Sequence, residues 1–165
     1  MRKLKINNII YKFLLVSVII FMNINYVSAY NNINFKNITS EDGLSQATVE
    51  TLMQDTKGYI WIGTNDGLYK YNGYDFKVYK HDEESENSIT NNYIVDIKED
   101  KSGNIWVGTA NGLSKINTKT DLITNYNLTD EEQTLSHYNI GDVLVTKSGD
   151  VLVGTSDGLN IYNEK

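Results

Sequence analysis

The sequence predicts an all-β fold: β-propeller blades of four antiparallel strands, about three of them, forming an incomplete propeller after an N-terminal signal peptide. Three observations carry that expectation. One pattern returns at spacings of 45 and then 46 residues, as Gly58-Tyr-Ile-Trp61-Ile-Gly63-Thr64-Asn-Asp-Gly67-Leu68, Gly103-Asn-Ile-Trp106-Val-Gly108-Thr109-Ala-Asn-Gly112-Leu113 and Gly149-Asp-Val-Leu152-Val-Gly154-Thr155-Ser-Asp-Gly158-Leu159. Nine of the twelve glycines fall on three equivalent positions of that pattern, which chance would hardly produce. Beyond residue 29 no helical periodicity survives, and a repeat of this length belongs to arrays of identical supersecondary units.

Residues 1–29 stand apart from the repeats. Arg2, Lys3, Lys5 and Lys12 precede an apolar run from Phe13 to Met22, and Val27-Ser28-Ala29 closes the segment. This is the layout of a secretory leader, with cleavage expected after Ala29. An apolar run of about ten residues falls well short of the roughly twenty that span a bilayer, so an uncleaved membrane anchor is the second reading. On either reading the remainder, residues 30–165, lies outside the cytoplasm. Three repeats occupy it, approximately 45–90, 91–136 and 137–165, with 33–38 as an extra strand of the fourth type.

Each repeat opens on an alternating strand (Val49 to Gln54, Ile94 to Glu99, Ile140 to Val145). The turns that follow, Asp55-Thr-Lys-Gly58 and Asp100-Lys-Ser-Gly103, place Asp first and Gly fourth, which is type I chemistry. A second strand (Tyr59 to Thr64, Asn104 to Thr109, Asp150 to Thr155) is apolar, β-branched and aromatic, as expected of a strand buried on both faces. Its central glycine (Gly63, Gly108, Gly154) marks a bulge or a close backbone approach. Asn65-Asp66-Gly67, Ala110-Asn111-Gly112 and Ser156-Asp157-Gly158 then read as hairpins with type I′ turns, in which both central residues take positive φ. Third strands (Leu68 to Tyr71, Leu113 to Ile116, Leu159 to Tyr162) and fourth strands (Tyr74 to Tyr79, Leu122 to Asn127) complete the unit. Ile33 to Ile38 resembles a fourth strand, and the last repeat reaches Lys165 after its third. Propellers typically close with four to eight blades, so three blades call for further blades or other chains.

Composition narrows the function. The chain carries a formal charge of −6, and loss of the leader's four positive charges takes it to −10, which disfavours nucleic acid as a partner. No cysteine is present, so disulfides do not stabilise it. Only His81 and His137 are available for histidine chemistry, both read as surface residues, and no spacing suggests a zinc or hydrolase site. No cofactor, metal or enzymatic activity is expected. Acidic runs at 82–86 and 130–132 lack EF-hand spacing and read as solvated loops. Trp61 and Trp106, at one repeat position inside apolar strands, read as core.

The repeats resemble the two-component regulator propeller family. Its lead-in, Asp turn, Gly-aromatic-hydrophobic-Trp-hydrophobic-Gly-Thr core and Gly-Leu ending are matched by Gly43-Leu44-Ser45, Asp55, Gly58 to Thr64 and Gly67-Leu68. Ile89-Thr90, Asp100, Gly103 to Thr109 and Gly112-Leu113 match again, whereas the third copy departs with Thr146 for Asp and Leu152 for Trp. The resemblance implies an extracytoplasmic sensor region of a bacterial membrane signalling protein, whose kinase or cyclase output domains are not part of this sequence. A membrane signalling partner follows from the same resemblance.

Comparing the copies with one another separates framework from recognition. Residues just before each first strand vary: Gln46 and Thr48, then Asn91, Asn92 and Tyr93, then His137, Tyr138 and Asn139. In such blades they share one end of the barrel with the turns bearing Asn65, Asp66, Asn111 and Asp157. Constant geometry with variable polar and aromatic tips suits a binding face. Tyr93 and Tyr138 suit stacking on a sugar ring while amides hydrogen-bond its hydroxyls, so a small molecule or glycan is the expected ligand. The alternative is a secreted, lectin-like propeller scaffold that closes its ring by oligomerising.

Overall fold

The structure is a computed structural model and describes residues 34–44, 48–127 and 134–162, together with positions 10, 12, 13 and 16. Two units divide the chain, Met1–Lys36 and Asn37–Lys165. In the first, the four described leader positions are helical, and the expected cleavage site lies outside the described residues. Among the described residues no helix is long and apolar enough to cross a membrane.

Eleven strands among the described residues make three antiparallel sheets, each strand pairing with the next in sequence. The first blade comprises β1 (Val49–Gln54), β2 (Ile60–Thr64), β3 (Gly67–Tyr71) and β4 (Phe76–Tyr79). The second comprises β5 (Ile94–Glu99), β6 (Asn104–Thr109), β7 (Gly112–Asn117) and β8 (Ile123–Tyr126), and the third β9 (Ile140–Val145), β10 (Val151–Thr155) and β11 (Gly158–Tyr162). Consecutive blades touch through their opening strands, β1 against β5 and β5 against β9.

Period-2 alternation gives every blade two faces. In β2, Trp61 and Gly63 point towards the second blade, and Ile60 and Ile62 point away; β6 repeats the arrangement with Trp106 and Gly108 facing the third blade. One core therefore lies between each pair of sheets. Trp61, Leu68 and Tyr79 meet Ile94, Ile97, Ile105, Val107 and Ile116 in the first, and Trp106 and Leu113 meet Ile140, Val143, Val151 and Val153 in the second. The lead-in residue of each following blade, Ile89 or Leu135, is buried in the same layer.

The strand glycines permit this stacking. A Cβ on Gly63 would stand 2.6 Å from the methyls of both Ile94 and Thr51, and one on Gly108 would stand 2.8 Å from Ile140. Opposite each strand glycine the opening strand is bulged: the register shifts between Val49 and Thr51, between Ile94 and Asp96, and between Gly154 and Thr155. At Gly63 and Gly108 bulge and close approach, posed as alternatives by the sequence, thus occur together; at Gly154 only the bulge is present.

Asp55 and Asp100 do more than start a turn. Each carbonyl accepts the N–H of the fourth turn residue, at 2.9 Å, as type I geometry requires. Their second carboxylate oxygens accept the indole N–H of Trp61 at 2.9 Å and of Trp106 at 3.0 Å. A buried indole donor needs a partner, so Asp and Trp form one device. The third repeat lacks both together: Thr146 holds its turn through its own hydroxyl, and Leu152 leaves no indole to satisfy. Burial alone would push the Asp100 carboxyl up, but the donors on Asn104, Trp106 and Ser102 hold it below the ordinary carboxylate range.

Two expectations are corrected. The type I′ hairpins do not form, because Asp66, Asn111 and Asp157 all keep negative φ; only Gly67, Gly112 and Gly158, one residue later, have positive φ, at 131°, 110° and 106°. The threonine ending the second strand sets the turn instead. Thr64 Oγ1 accepts the N–H of Asp66 at 3.0 Å and donates to the Gly67 carbonyl at 2.9 Å, and Thr109 and Thr155 do likewise. The second correction concerns Ile33 to Ile38. Residues 34–38 form no strand; Ile38 instead packs with Leu44, Ile62 and Tyr69 on the outer face of the first blade.

Candidate functional site

The end of the stack that carries the β2–β3, β6–β7 and β10–β11 turns also carries the residues that precede β1, β5 and β9. Backbone hydrogen bonds stitch these pieces into one rim. Gly67 donates to the Asn92 carbonyl at 2.8 Å and Gly112 to that of Tyr138 at 2.7 Å, so each turn is held by the next blade's entry segment. Within a blade, Ala110 donates to Tyr93 and Ser156 to Asn139, each at 3.1 Å. This is why positions that vary in side chain keep a fixed backbone.

The lead-in residues complete the support. The Thr90 hydroxyl lies 2.9 Å from that of Thr109, and Ser136 makes the same 2.9 Å contact with Thr155. In the second and third repeats the Gly-Thr is therefore a hub joining turn, lead-in and strand.

Eleven of the twelve expected site residues fall within the described residues and on this rim; Gln46 lies outside them. Several of their polar groups serve the framework. Asn91 Oδ1 accepts the Tyr93 N–H at 2.8 Å, Asn92 Oδ1 accepts the His81 N–H at 2.7 Å, and Asp66 pairs with Lys80 at 2.7 Å. Asn139 donates through its backbone N–H to His137 Nδ1 at 3.0 Å and through its amide to Ser156 Oγ at 3.1 Å. Thr48 directly precedes β1, while Asn65, Asn111 and Asp157 occupy the turn tips. Tyr93 and Tyr138 remain 43% and 47% exposed, and His137 stacks on Tyr138 with ring centroids 4.2 Å apart. The rim thus offers two aromatic faces, one enlarged by an imidazole, between amide and carboxylate tips.

His81 does not reach the aromatic pair; its Nδ1 contacts the Ile89 carbonyl at 2.7 Å and steadies the connection from β4 to β5. The acidic run at 82–86 lies in that connection, where Asp82 Oδ1 accepts the Glu84 N–H at 3.0 Å; the run at 130–132 lies outside the described residues. No group of three or more His, Cys, Asp or Glu suited to a metal occurs among the described residues. Two concavities, of about 470 and 260 Å³, open on the outer flanks of the blades and include none of the twelve residues.

The sequence reading missed one feature of the opening strands. Asp96 of β5 accepts the Val143 N–H of β9 at 3.0 Å, and its two oxygens lie 2.5 and 2.6 Å from Lys98 Nζ. Its carboxyl also hydrogen-bonds Asp142, and this contact, more than burial, raises Asp142 above the ordinary carboxylate range. Burial opposes ionisation of Asp96, yet the donors on Lys98, Asp142, Val143 and Ile97 hold its carboxyl below that range. The spacing of Asp96 and Asp142, one repeat apart, was the available signal, obscured because the first copy has Thr51 there.

The family model described as two component regulator propeller matches residues 43–66 and 88–111. A 70-residue stretch is 41% identical to Histidine kinase P4 of Formosa agariphila, covering 42% of this chain and 5% of the kinase. Among solved structures, the extracellular domain of a hybrid two component system of B. thetaiotaomicron aligns over 76% of this chain and 18% of its own, with a TM-score of 0.71 and 28% identity. A second extracellular domain of that kind and organism aligns over 79% of this chain and 17% of its own, with a TM-score of 0.58; at 24% identity it speaks for the fold alone. The chain spans only a small part of each of these proteins.

Proposed function

We propose that this chain, two of whose repeats match the two component regulator propeller model, is an extracytoplasmic ligand-sensing module of a bacterial membrane signalling protein, with the rim described above as its binding face and a carbohydrate as its ligand class. The observation that carries this reading is a backbone-fixed rim whose tips differ from blade to blade and expose two tyrosine rings. Flat aromatic faces beside amides match the alternating apolar and hydroxyl surfaces of a sugar ring. The leader expected over residues 1–29 and the extracellular placement of the solved relatives support an extracytoplasmic position. Ligand binding here is a structural event, passed to a partner or domain that carries the output chemistry.

An oligosaccharide array probed with the wild type and with Tyr93→Ala and Tyr138→Ala tests the assignment. The wild type is expected to retain a small set of glycans, and each substitution to weaken that retention at least tenfold while leaving the circular dichroism spectrum unchanged. Retention equal to wild type by both variants overturns the assigned face.

A further inference from the structure

The main chain dictates what hydrogen bonds the two tyrosine-bearing entry segments can still offer. Both segments lie at junctions whose two blades belong to this chain, since the Gly67 N–H is held by the Asn92 carbonyl and the Gly112 N–H by that of Tyr138. Repeat equivalence aligns Ile94 with Ile140, and therefore Asn91 with His137. These two different side chains perform one task. Asn91 Oδ1 accepts the N–H of Tyr93 at 2.8 Å and His137 Nδ1 accepts that of Asn139 at 3.0 Å, each closing a turn onto the residue two places on. Asn92 Oδ1 likewise accepts a main-chain N–H, that of His81, at 2.7 Å.

A main-chain N–H only donates, so each contact fixes which atom of the side chain faces the backbone. Asn91 and Asn92 turn their amide oxygens inward and keep their NH2 groups. Nδ1 of His137 is the bare nitrogen, which in the neutral ring places the proton on Nε2. All three residues are half-buried, and none of these remaining donors takes a partner among the described residues. Asn139 carries no such bias, because its amide meets the Ser156 hydroxyl, a group that both donates and accepts. Asn91 and Asn92 adjoin Tyr93 in sequence, and His137 stacks on Tyr138, so each exposed ring has beside it donors whose own acceptors are occupied.

Such a surface favours a ligand that brings an acceptor without a proton of its own. A carboxylate meets that condition but is opposed by charge: the chain is net negative, and Asp157 in the β10–β11 turn makes no ion pair among the described residues. An acyl carbonyl offers the same lone pairs without the charge. We infer that the rim recognises acylated saccharides, the carbonyl oxygen of an N-acyl or O-acyl group accepting from Asn91 and Asn92 beside Tyr93 or from His137 beside Tyr138. A sugar hydroxyl suits these positions less, because after accepting it still carries a proton to be matched, and an unmatched polar group costs affinity. The inference rests on the carbohydrate reading above and adds to it the group recognised.

An array of matched saccharides probed with the full chain tests it: β-1,4 oligomers of N-acetylglucosamine beside those of glucose, acetylated xylan and glucomannan beside their de-esterified forms, and oligoglucuronate to supply a carboxylate. The wild type is expected to retain acylated members at least tenfold more tightly than their unacylated counterparts. Asn91→Asp, Asn92→Asp and His137→Asp, combined, keep an oxygen for each main-chain N–H but put an acceptor where each donor stood. That variant is expected to lose at least tenfold in retention of the acylated members with its circular dichroism unchanged. His137→Asn, which copies the arrangement of the second blade, is expected to stay within about twofold of the wild type. Equal retention of acylated and unacylated members, or tightest retention of oligoglucuronate, overturns the inference and leaves the carbohydrate reading standing. Undiminished retention by the combined Asp variant also overturns it, and retention of no saccharide overturns both.

Discussion

Gly63→Ala is expected to destabilise the protein by about 3 kcal/mol, and Gly108→Ala by slightly less, whereas Gly154→Ala leaves the isolated chain unchanged or stabilises it by up to about 1 kcal/mol. The three glycines occupy one repeat position, in the same strand and opposite the same kind of bulge. What differs is the neighbour. The added carbon meets Ile94 and Thr51 at 2.6 Å at the first site and Ile140 and Val143 at 2.8 and 3.0 Å at the second, but only backbone of Asp142 at 3.8 Å at the third. Overpacking a closed layer forces strands apart or side chains off rotamer, while removing a glycine from an open strand lowers the entropy of the unfolded chain. Denaturant titration at concentrations where the chain is monomeric reads all three. Equal losses at the three sites would show that the glycines serve strand conformation and not blade docking.

Trp61→Ala is the second substitution expected to cost several kcal/mol, about 3–5, because it empties the centre of the first inter-blade layer. Trp61 is fully buried, stacks on Tyr79 with centroids 5.6 Å apart, and donates its indole N–H to an Asp55 carboxylate that is itself only 5% exposed. Trp61→Phe separates the two contributions: it keeps most of the aromatic packing but strips Asp55 of a donor, with an expected loss of about 1–3 kcal/mol. The same denaturant titration measures both, and a loss below about 1 kcal/mol for Trp61→Ala would contradict the placement of this residue as inter-blade core.

Strand order and phase were legible because they rest on local chemistry repeated three times. Val49–Gln54, Ile94–Glu99 and Ile140–Val145 have the bounds read from alternation alone, and the two Asp-x-x-Gly turns close as their residue types require. The hairpins were legible too, but not their turn type, because Asn-Gly and Asp-Gly suit type I′ turns whereas the threonine before them, bonding to N–H and carbonyl across the loop, stabilises a turn with negative φ at Asp66, Asn111 and Asp157. Nor was the fate of Ile38 legible: the pattern of a fourth strand was present, but a strand exists only where a partner edge pairs with it, and here its apolar side chain serves the outer face of the first blade. For the rim, variation among copies located the residues, but it did not separate tips spent on the framework, such as the Asn91 and Asn92 carbonyls, from the exposed rings of Tyr93 and Tyr138. That distinction depends on hydrogen bonds closed by tertiary structure, such as the one from His81 to Asn92.

The most direct test of the sensing assignment is amide-resolved NMR of the chain titrated with the oligosaccharide that the array retains best. Shift changes are expected at Tyr93, at Tyr138 and in the turns at 65–66, 110–111 and 156–157, with the turns at 55–58, 100–103 and 146–149 on the opposite end unmoved. Changes confined to that opposite end, or no retained oligosaccharide to titrate, would contradict it.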